Sequence, residues 1–104
     1  MTKDDPEMYA IEYAEQAIAD MEWLKKHEQN EILDGIDQQL RYEPAVETRN
    51  RKRLRPNASA EWELRLGDVR VLYNVHDQVQ IVEIQRIGEK RRNAFFFRGR
   101  KEEL

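Results

Sequence analysis

The feature that most narrows what this chain can fold into is the run Trp62-Glu-Leu-Arg-Leu-Gly-Asp-Val-Arg-Val-Leu-Tyr-Asn-Val75, two alternating segments around a Gly-Asp pair. Alternation with a period of two sends successive side chains to opposite faces of a strand, and a two-residue turn containing glycine selects a tight antiparallel hairpin. Turning at Gly67-Asp68 sets Leu66 against Val69, Leu64 against Val71 and Trp62 against Tyr73 on the core side. The other face then carries Glu61, Glu63 and Arg65 beside Arg70, Leu72 and Asn74, with Arg65 directly opposite Arg70. The next apolar run, Val79 to Ile87, is the richest in the chain and predicts a central strand ended by Gly88. Matching its apolar positions to the hairpin puts Val82 beside Tyr73, Ile84 beside Val71, Glu83 beside Leu72 and Gln85 beside Arg70. A polar row Arg65–Arg70–Gln85 on the outer face is therefore expected.

Upstream the period changes. Ala14, Ala17, Ile18, Met21 and Leu24 form the stripe of an amphipathic helix from Ala14 to about Lys26. After a polar connector around His27–Asn30, Ile32, Leu33, Ile36 and Leu40 repeat the stripe, and Pro44 stops it, which predicts an antiparallel helical hairpin. Gly35 inside the second helix costs roughly 1 kcal/mol against alanine, so it marks either close packing or a misplaced boundary. Met8–Tyr13 reads as an edge or first strand, Thr48–Pro56 as a basic, largely extended connector, and Phe95–Phe97 as a short last strand. Phe95 and Phe97 would then face one way as core residues and Phe96 the other. The segments 1–6 and 98–104 read as flexible tails. Together these elements define an α+β domain over residues 1–104: an N-terminal strand, a helical hairpin, then an antiparallel meander of three to four strands.

Composition narrows function. With 104 residues the chain is one domain, and with no cysteine it has no disulfide framework or thiolate metal site, so a cytoplasmic location is expected. Met1–Pro6 lacks the basic-then-apolar order of a signal peptide, and no stretch is long and apolar enough for a membrane span. The net charge of −3 hides a division along the chain. Residues 1–48 hold four Lys/Arg against thirteen Asp/Glu, a balance of −9; residues 49–104 hold fourteen against eight, a balance of +6. Such segregation either draws the two halves together across the fold or builds a surface that collects phosphates.

Three basic clusters lie on or next to the predicted outer face: Arg49–Arg55, the Arg65–Arg70 pair, and Lys90–Arg92 after Gly88. Their convergence would suit an RNA backbone; the competing reading is a plain surface network neutralised by Glu63 or Glu83. Other chemistries lack support. His27 and His76 sit in connectors without paired-ligand spacing, the four glycines are scattered, and Ser59, the single serine, has no nucleophile elbow around it.

The segments Thr48-Arg-Asn-Arg-Lys-Arg-Leu-Arg-Pro56, Trp62 to Tyr73 and Ile84-Gln-Arg-Ile-Gly-Glu-Lys-Arg-Arg92 resemble the RelE/ParE family of bacterial type II toxins over nearly the whole chain. The resemblance implies a small α+β toxin that needs no cofactor and is encoded beside an antitoxin that wraps around it. One branch of the family cleaves mRNA in the ribosomal A site without metal; the other lacks that chemistry and inhibits DNA gyrase. A decayed member would only bind its antitoxin. Cleavage drives the ribose 2′-hydroxyl onto the adjacent phosphate, which calls for a base, cations and an acid for the leaving 5′-oxygen. By resemblance Arg70 matches the transition-state arginine, Lys90 or Arg91 the basic residue after the glycine, and Glu63 and Arg65 fall near positions where nuclease members carry lysines or a polar base. Arg49, Arg51, Lys52, Arg53, Arg55, Arg65, Gln85 and Arg92 would hold the RNA. The C-terminal Tyr or His of many nuclease members has no counterpart, since Phe95 or Phe96 falls there and neither exchanges a proton. The mRNA endoribonuclease is the expected activity, with the gyrase inhibitor as the alternative. Because Arg65 and Arg70 face each other, Arg70→Ala is expected to leave stability intact or slightly raised.

Overall fold

The computed structural model describes residues 8–104; the expected tail at 1–6 lies outside them. The elements run β1 (Ala10–Tyr13), α1 (Glu15–Trp23), α2 (Lys26–Leu40), β2 (Arg51–Arg53), β3 (Trp62–Leu66), β4 (Val69–His76), β5 (Ile81–Arg91), β6 (Ala94–Phe97) and β7 (Arg100–Glu102). Strands β2 to β7 lie side by side in chain order as one antiparallel meander, and β1 joins it parallel to the first half of β5. The two helices cover one face, which makes the chain the α+β domain expected from its sequence.

Hairpin β3–β4 has the expected register in every pair, Trp62–Tyr73, Leu64–Val71, Leu66–Val69 and Arg65–Arg70 among them. Gly67 at the turn has φ 61°, a left-handed conformation that glycine adopts without steric cost. The register of β5 differs from expectation. The pairing is displaced by two residues from the start, with Val82 opposite Val75, Glu83 opposite Asn74 and Ile84 opposite Tyr73. Beyond these Leu72 pairs with Arg86, Val71 with Ile87 and Arg70 with Gly88, so Gln85 is the extra residue of a bulge, well away from Arg70. The bulge follows from the spacing of the apolar side chains: Val82 and Ile84 are two apart, but Ile87 follows three later. A regular strand would turn Arg86 inward and Ile87 outward. One inserted residue restores Ile87 to the core, where it is buried with Val82 and Ile84.

Gly88 does not end the strand either, and β5 continues to Arg91. A Cβ on Gly88 would collide with the Phe96 carbonyl oxygen and stand 2.5 Å from Phe97 Cδ1, so the missing side chain lets β6 approach. Arg92 and Asn93 take positive φ to form the β5–β6 turn, and Arg98 with Gly99 does the same before β7. The expected tail from Arg98 is thus in part a seventh strand, and the meander is longer than foreseen.

The helices also shift. Only Leu24 and Lys25 separate them, so the expected connector at His27–Asn30 lies in the first turns of α2. There the Lys25 backbone N–H donates to Glu28 Oε1 at 3.2 Å and Gln29 Nε2 donates to the Leu24 carbonyl at 2.9 Å. Those polar side chains finish the helix start and are not a loop. Gly35 stands where a Cβ would come within 2.8 Å of Leu66 Cδ1, so its helical position reflects close packing on β3.

The main core joins Ala17, Met21, Ile32, Ile36 and Leu40 of the helices to Leu64, Val71, Tyr73, Val82, Ile84 and Ile87 of the sheet. Tyr73 is fully buried and its hydroxyl donates to the Pro44 carbonyl at 2.7 Å. Beneath the sheet, the outer face is not purely polar. The β2–β3 connection, closed by Leu54 N–H donating to the Glu61 carbonyl at 2.8 Å, folds across it and builds a second apolar cluster from Leu54, Ala60, Leu72, Phe95 and Phe97.

One buried ionic cluster fills the break along one edge of β5, between Ile84, where the pairing with β1 stops, and Glu89, where the pairing with β6 starts. Asp20 of α1, 1% exposed, accepts from the Ile87 N–H at 3.0 Å and from Arg86 Nε at 2.9 Å, and pairs with Arg98 Nε at 3.0 Å. Arg86 also reaches Glu102 on β7 and lies 4.1 Å from the centre of the Phe97 ring. Burial alone would lower the pKa of Arg86; its hydrogen bonds and charge contacts with Asp20 and Glu102 overcome that and raise it.

Candidate functional site

Alternation along β3 puts Glu63 and Arg65 on the outer face, and Lys90 of β5 joins them there beside Phe95, its β6 partner. Lys52 of β2, paired with Glu63, completes the floor. The segment from Leu54 to Asn57 rises as a wall. These groups enclose an open cavity of about 540 Å³ lined by Lys52, Arg53, Arg55, Arg65 and Lys90, with Glu63, Phe95 and Leu104. Each of the three basic clusters foreseen in the sequence therefore contributes to one cavity, through Lys52 and Arg55, Arg65, and Lys90. The ammonium of Lys90 lies 5.2 Å from the centre of the Phe95 ring, and Phe95 stacks parallel on Phe97 at 6.1 Å.

Glu63 is the buried acid of this cleft, 3% exposed. Its Oε1 accepts from Arg65 Nε at 3.3 Å and its Oε2 lies 3.9 Å from Arg70 Nε. The carboxylate thus bridges two arginines that face each other across the ladder, which offsets the repulsion such a pair would otherwise bring. Arg70 is set one strand behind the cavity. Its guanidinium donates to the carbonyls of Gly67 and Val69, while its Nε is buried without a hydrogen-bond partner.

The remaining candidates divide. Arg51 is turned inward, 9% exposed, with Nε donating to the Val46 carbonyl at 2.9 Å and a terminal nitrogen to Gln39 at 2.7 Å. It ties the end of α2 to β2. Arg53 lies over Trp62 at 5.5 Å, Arg49 is exposed beyond the strand, and Arg92 sits in the exposed β5–β6 turn. Arg91 points to the face opposite Lys90, paired with Glu89 at 2.6 Å and stacked on Phe96. Gln85 lines a separate hollow with Glu15, Ser59 and Arg86. Among the described residues no group of His, Asp and Glu is placed to hold a metal ion, and no helix is long and apolar enough to cross a membrane.

Sequence reasoning missed the connection itself. Asn57 spends both ends of its amide on the loop: Oδ1 accepts from Ser59 N–H at 2.7 Å and Ala60 N–H at 3.0 Å, and Nδ2 donates to Arg55 and Ala60 carbonyls. The signal was the Pro56-Asn57 pair, whose asparagine favours such local turns. A second cavity of about 430 Å³ lies on the far side of this wall, bounded by Arg53 to Glu61 and by Asn74.

The mostly antiparallel meander under two helices recurs in solved toxin–antitoxin complexes. The fold matches the structure of a RelBE2 toxin–antitoxin complex from Mycobacterium tuberculosis with TM-score 0.71 and 24% identity, over 85% of this chain and 98% of that one. It matches an archaeal RelE–RelB complex from Pyrococcus horikoshii OT3 with TM-score 0.65 and 24% identity, over 82% and 98% of the two chains. The intact RelBE complex of E. coli gives 0.61 and 20%, over 81% and 99%. A comparison with curated proteins returns no match. The family model for the ParE toxin of type II toxin–antitoxin systems, parDE, matches residues 11–94. The chain belongs to this RelE/ParE family and is the toxin component of a type II toxin–antitoxin system.

Proposed function

We propose that this toxin is an endoribonuclease that cuts mRNA on the ribosome, using the cleft between β2, β3, β5 and the 54–57 wall. The observation that carries the reading is the convergence of Lys52, Arg55, Arg65 and Lys90 on one cavity with a buried carboxylate at its floor. The four cations bind the phosphates on either side of the scissile bond. Glu63 takes the proton of the 2′-hydroxyl as its oxygen attacks phosphorus, and Lys90 gives a proton to the departing 5′-oxygen. Arg65, with Arg70 behind it, offsets the charge that builds on the phosphorane. The products are a 2′,3′-cyclic phosphate and a free 5′-hydroxyl.

A second reading, inhibition of DNA gyrase without chemistry, is favoured by Phe95, an aromatic ring without a titrating group at the edge of the cleft. In either case the partner is an antitoxin; three related structures are complexes of a toxin with one. Primer-extension mapping in a purified translation system, beside a gyrase supercoiling assay, tests the proposal. New 5′ ends within ribosome-bound mRNA, lost in Glu63→Gln and Lys90→Met, are expected. Inhibited supercoiling with intact mRNA would overturn the nuclease.

A further inference from the structure

We infer that residues 103–104 form a gate on the cationic cleft, seated in it while the cleft is empty and displaced by the polyanion it binds. The inference rests on the reading that the cleft holds an RNA backbone, and adds how that site is held back before RNA arrives. Strand β7 runs antiparallel to β6, with Arg100 opposite Phe97, Lys101 opposite Phe96 and Glu102 opposite Phe95. The Glu102 carboxylate is fixed by the Arg86 guanidinium at 3.0 and 3.4 Å. Beyond this anchor the antiparallel direction carries the chain past Phe95, whose partner on its other side is Lys90. Leu104 lines the cavity there, and it is 38% exposed although no strand pairing holds it.

A leucine is the wrong group for a phosphate site. Leu54, Pro56 and the Phe95 ring offer it apolar surface within the same lining, so it gains by leaving water. Glu103 is exposed and sets a negative charge beside a cavity lined by Lys52, Arg53, Arg55, Arg65 and Lys90. Glu63, the acid among them, is already shared by Arg65 and Arg70. Apolar contact and charge therefore both draw the tail in while no other anion is present. A phosphate backbone needs the same space and the same cations, and it repels Glu103, so tail and RNA exclude each other. Two residues beyond a pinned strand move within nanoseconds to microseconds. The gate thus lowers the fraction of molecules open to RNA, and the apparent affinity falls by that fraction.

The test uses the full chain and a short 2′-O-methyl oligoribonucleotide, which cannot be cut because the attacking oxygen is blocked. Stopped-flow fluorescence anisotropy at low salt gives its association and dissociation rates. Leu104→Ala, which changes no charge, should raise the association rate about threefold. Glu103→Gln combined with Leu104→Ala should raise it about tenfold, as for a tail seated about nine-tenths of the time. The dissociation rate should not move, because the tail is already out in the complex, and Tm should not move, because Glu102 still ties β7 to Arg86. An unchanged association rate in the double variant overturns the inference. Faster dissociation in Leu104→Ala does so too, since Leu104 would then be a wall that holds RNA; either result leaves the cleft assignment standing. Absence of binding by the parent and by both variants overturns the RNA reading and the inference with it.

Discussion

Replacing Asp20 with alanine should cost the fold about 3 kcal/mol. The side chain is fully buried and carries four contacts: two from Arg86, one from Arg98 and one from the Ile87 N–H. Removing one partner of a buried pair costs about 3–5 kcal/mol because the remaining charge is stranded. Arg86 keeps Glu102 at 3.0 Å, which holds the cost to the lower end of that range. Arg98 is 41% exposed, so water replaces most of what it loses. The Ile87 N–H has no such escape, and a buried orphan donor costs about 1–3 kcal/mol. In a domain of this size each kcal/mol moves Tm by about 4–8 °C, so a drop of about 15 °C is expected. Urea unfolding read by Trp62 fluorescence gives the free energy directly. Asp20→Asn, which keeps an acceptor for the Ile87 N–H, should lose less, and a double-mutant cycle with Arg86→Met should return a coupling above about 1 kcal/mol. A loss below about 1 kcal/mol in Asp20→Ala, with the urea slope unchanged, would refute the claim that this carboxylate closes the break between β1 and β6.

Gly88→Ala should destabilise by about 2–3 kcal/mol, since its Cβ meets backbone at Phe96 and the Phe97 ring; a Tm within a degree or two of the parent would contradict the close approach of β6. Burial, and then Asp37, push the Tyr13 phenol up to about 12 from its ordinary 10.0, with Arg41 pulling the other way. The folded state thus holds this proton more tightly than the unfolded chain, so its contribution to stability is whole below pH 10.0 and is lost as pH rises towards about 12. Tyr73, raised chiefly by burial, adds to the same alkaline loss; Tyr13→Phe should shallow the fall of the urea midpoint across this window, and an identical fall would count against it. Arg70→Ala should lower mRNA cleavage by less than the roughly hundredfold loss of a direct donor to the phosphorane, because its guanidinium is held on the Gly67 and Val69 carbonyls and acts through Glu63. Contrary to the expectation from like-charge repulsion alone, it should cost about 1 kcal/mol of stability because Glu63 loses a counter-charge. A variant that is more stable than the parent would show that the bridge through Glu63 has no net value.

Much of this molecule is written locally. The pairing of Trp62 with Tyr73, of Leu64 with Val71 and of Arg65 with Arg70 followed from alternation about Gly67-Asp68, because a two-residue turn and a period of two leave a hairpin only one register that buries its apolar face. The stripes from Ala14 to Leu40 likewise required two helices. What the sequence could not settle was anything that depends on distant partners. Gln85 became a bulge because Ile87 had to reach a core shared with both helices, and that demand is felt only once the helices are in place. Gly88 looked like a strand end, yet it is the point where β6 passes, and the chain turned twice more at Arg92-Asn93 and Arg98-Gly99. The basic residues show the same division. Their charge and order were legible, but solvent exposure is a property of the assembled sheet: Arg51 was drawn inward by two free carbonyls, Arg91 was carried to the other face by strand parity, and Lys52, Arg55, Arg65 and Lys90 came to share one cavity only because the 54–61 connection folds back across Leu72 and Phe97.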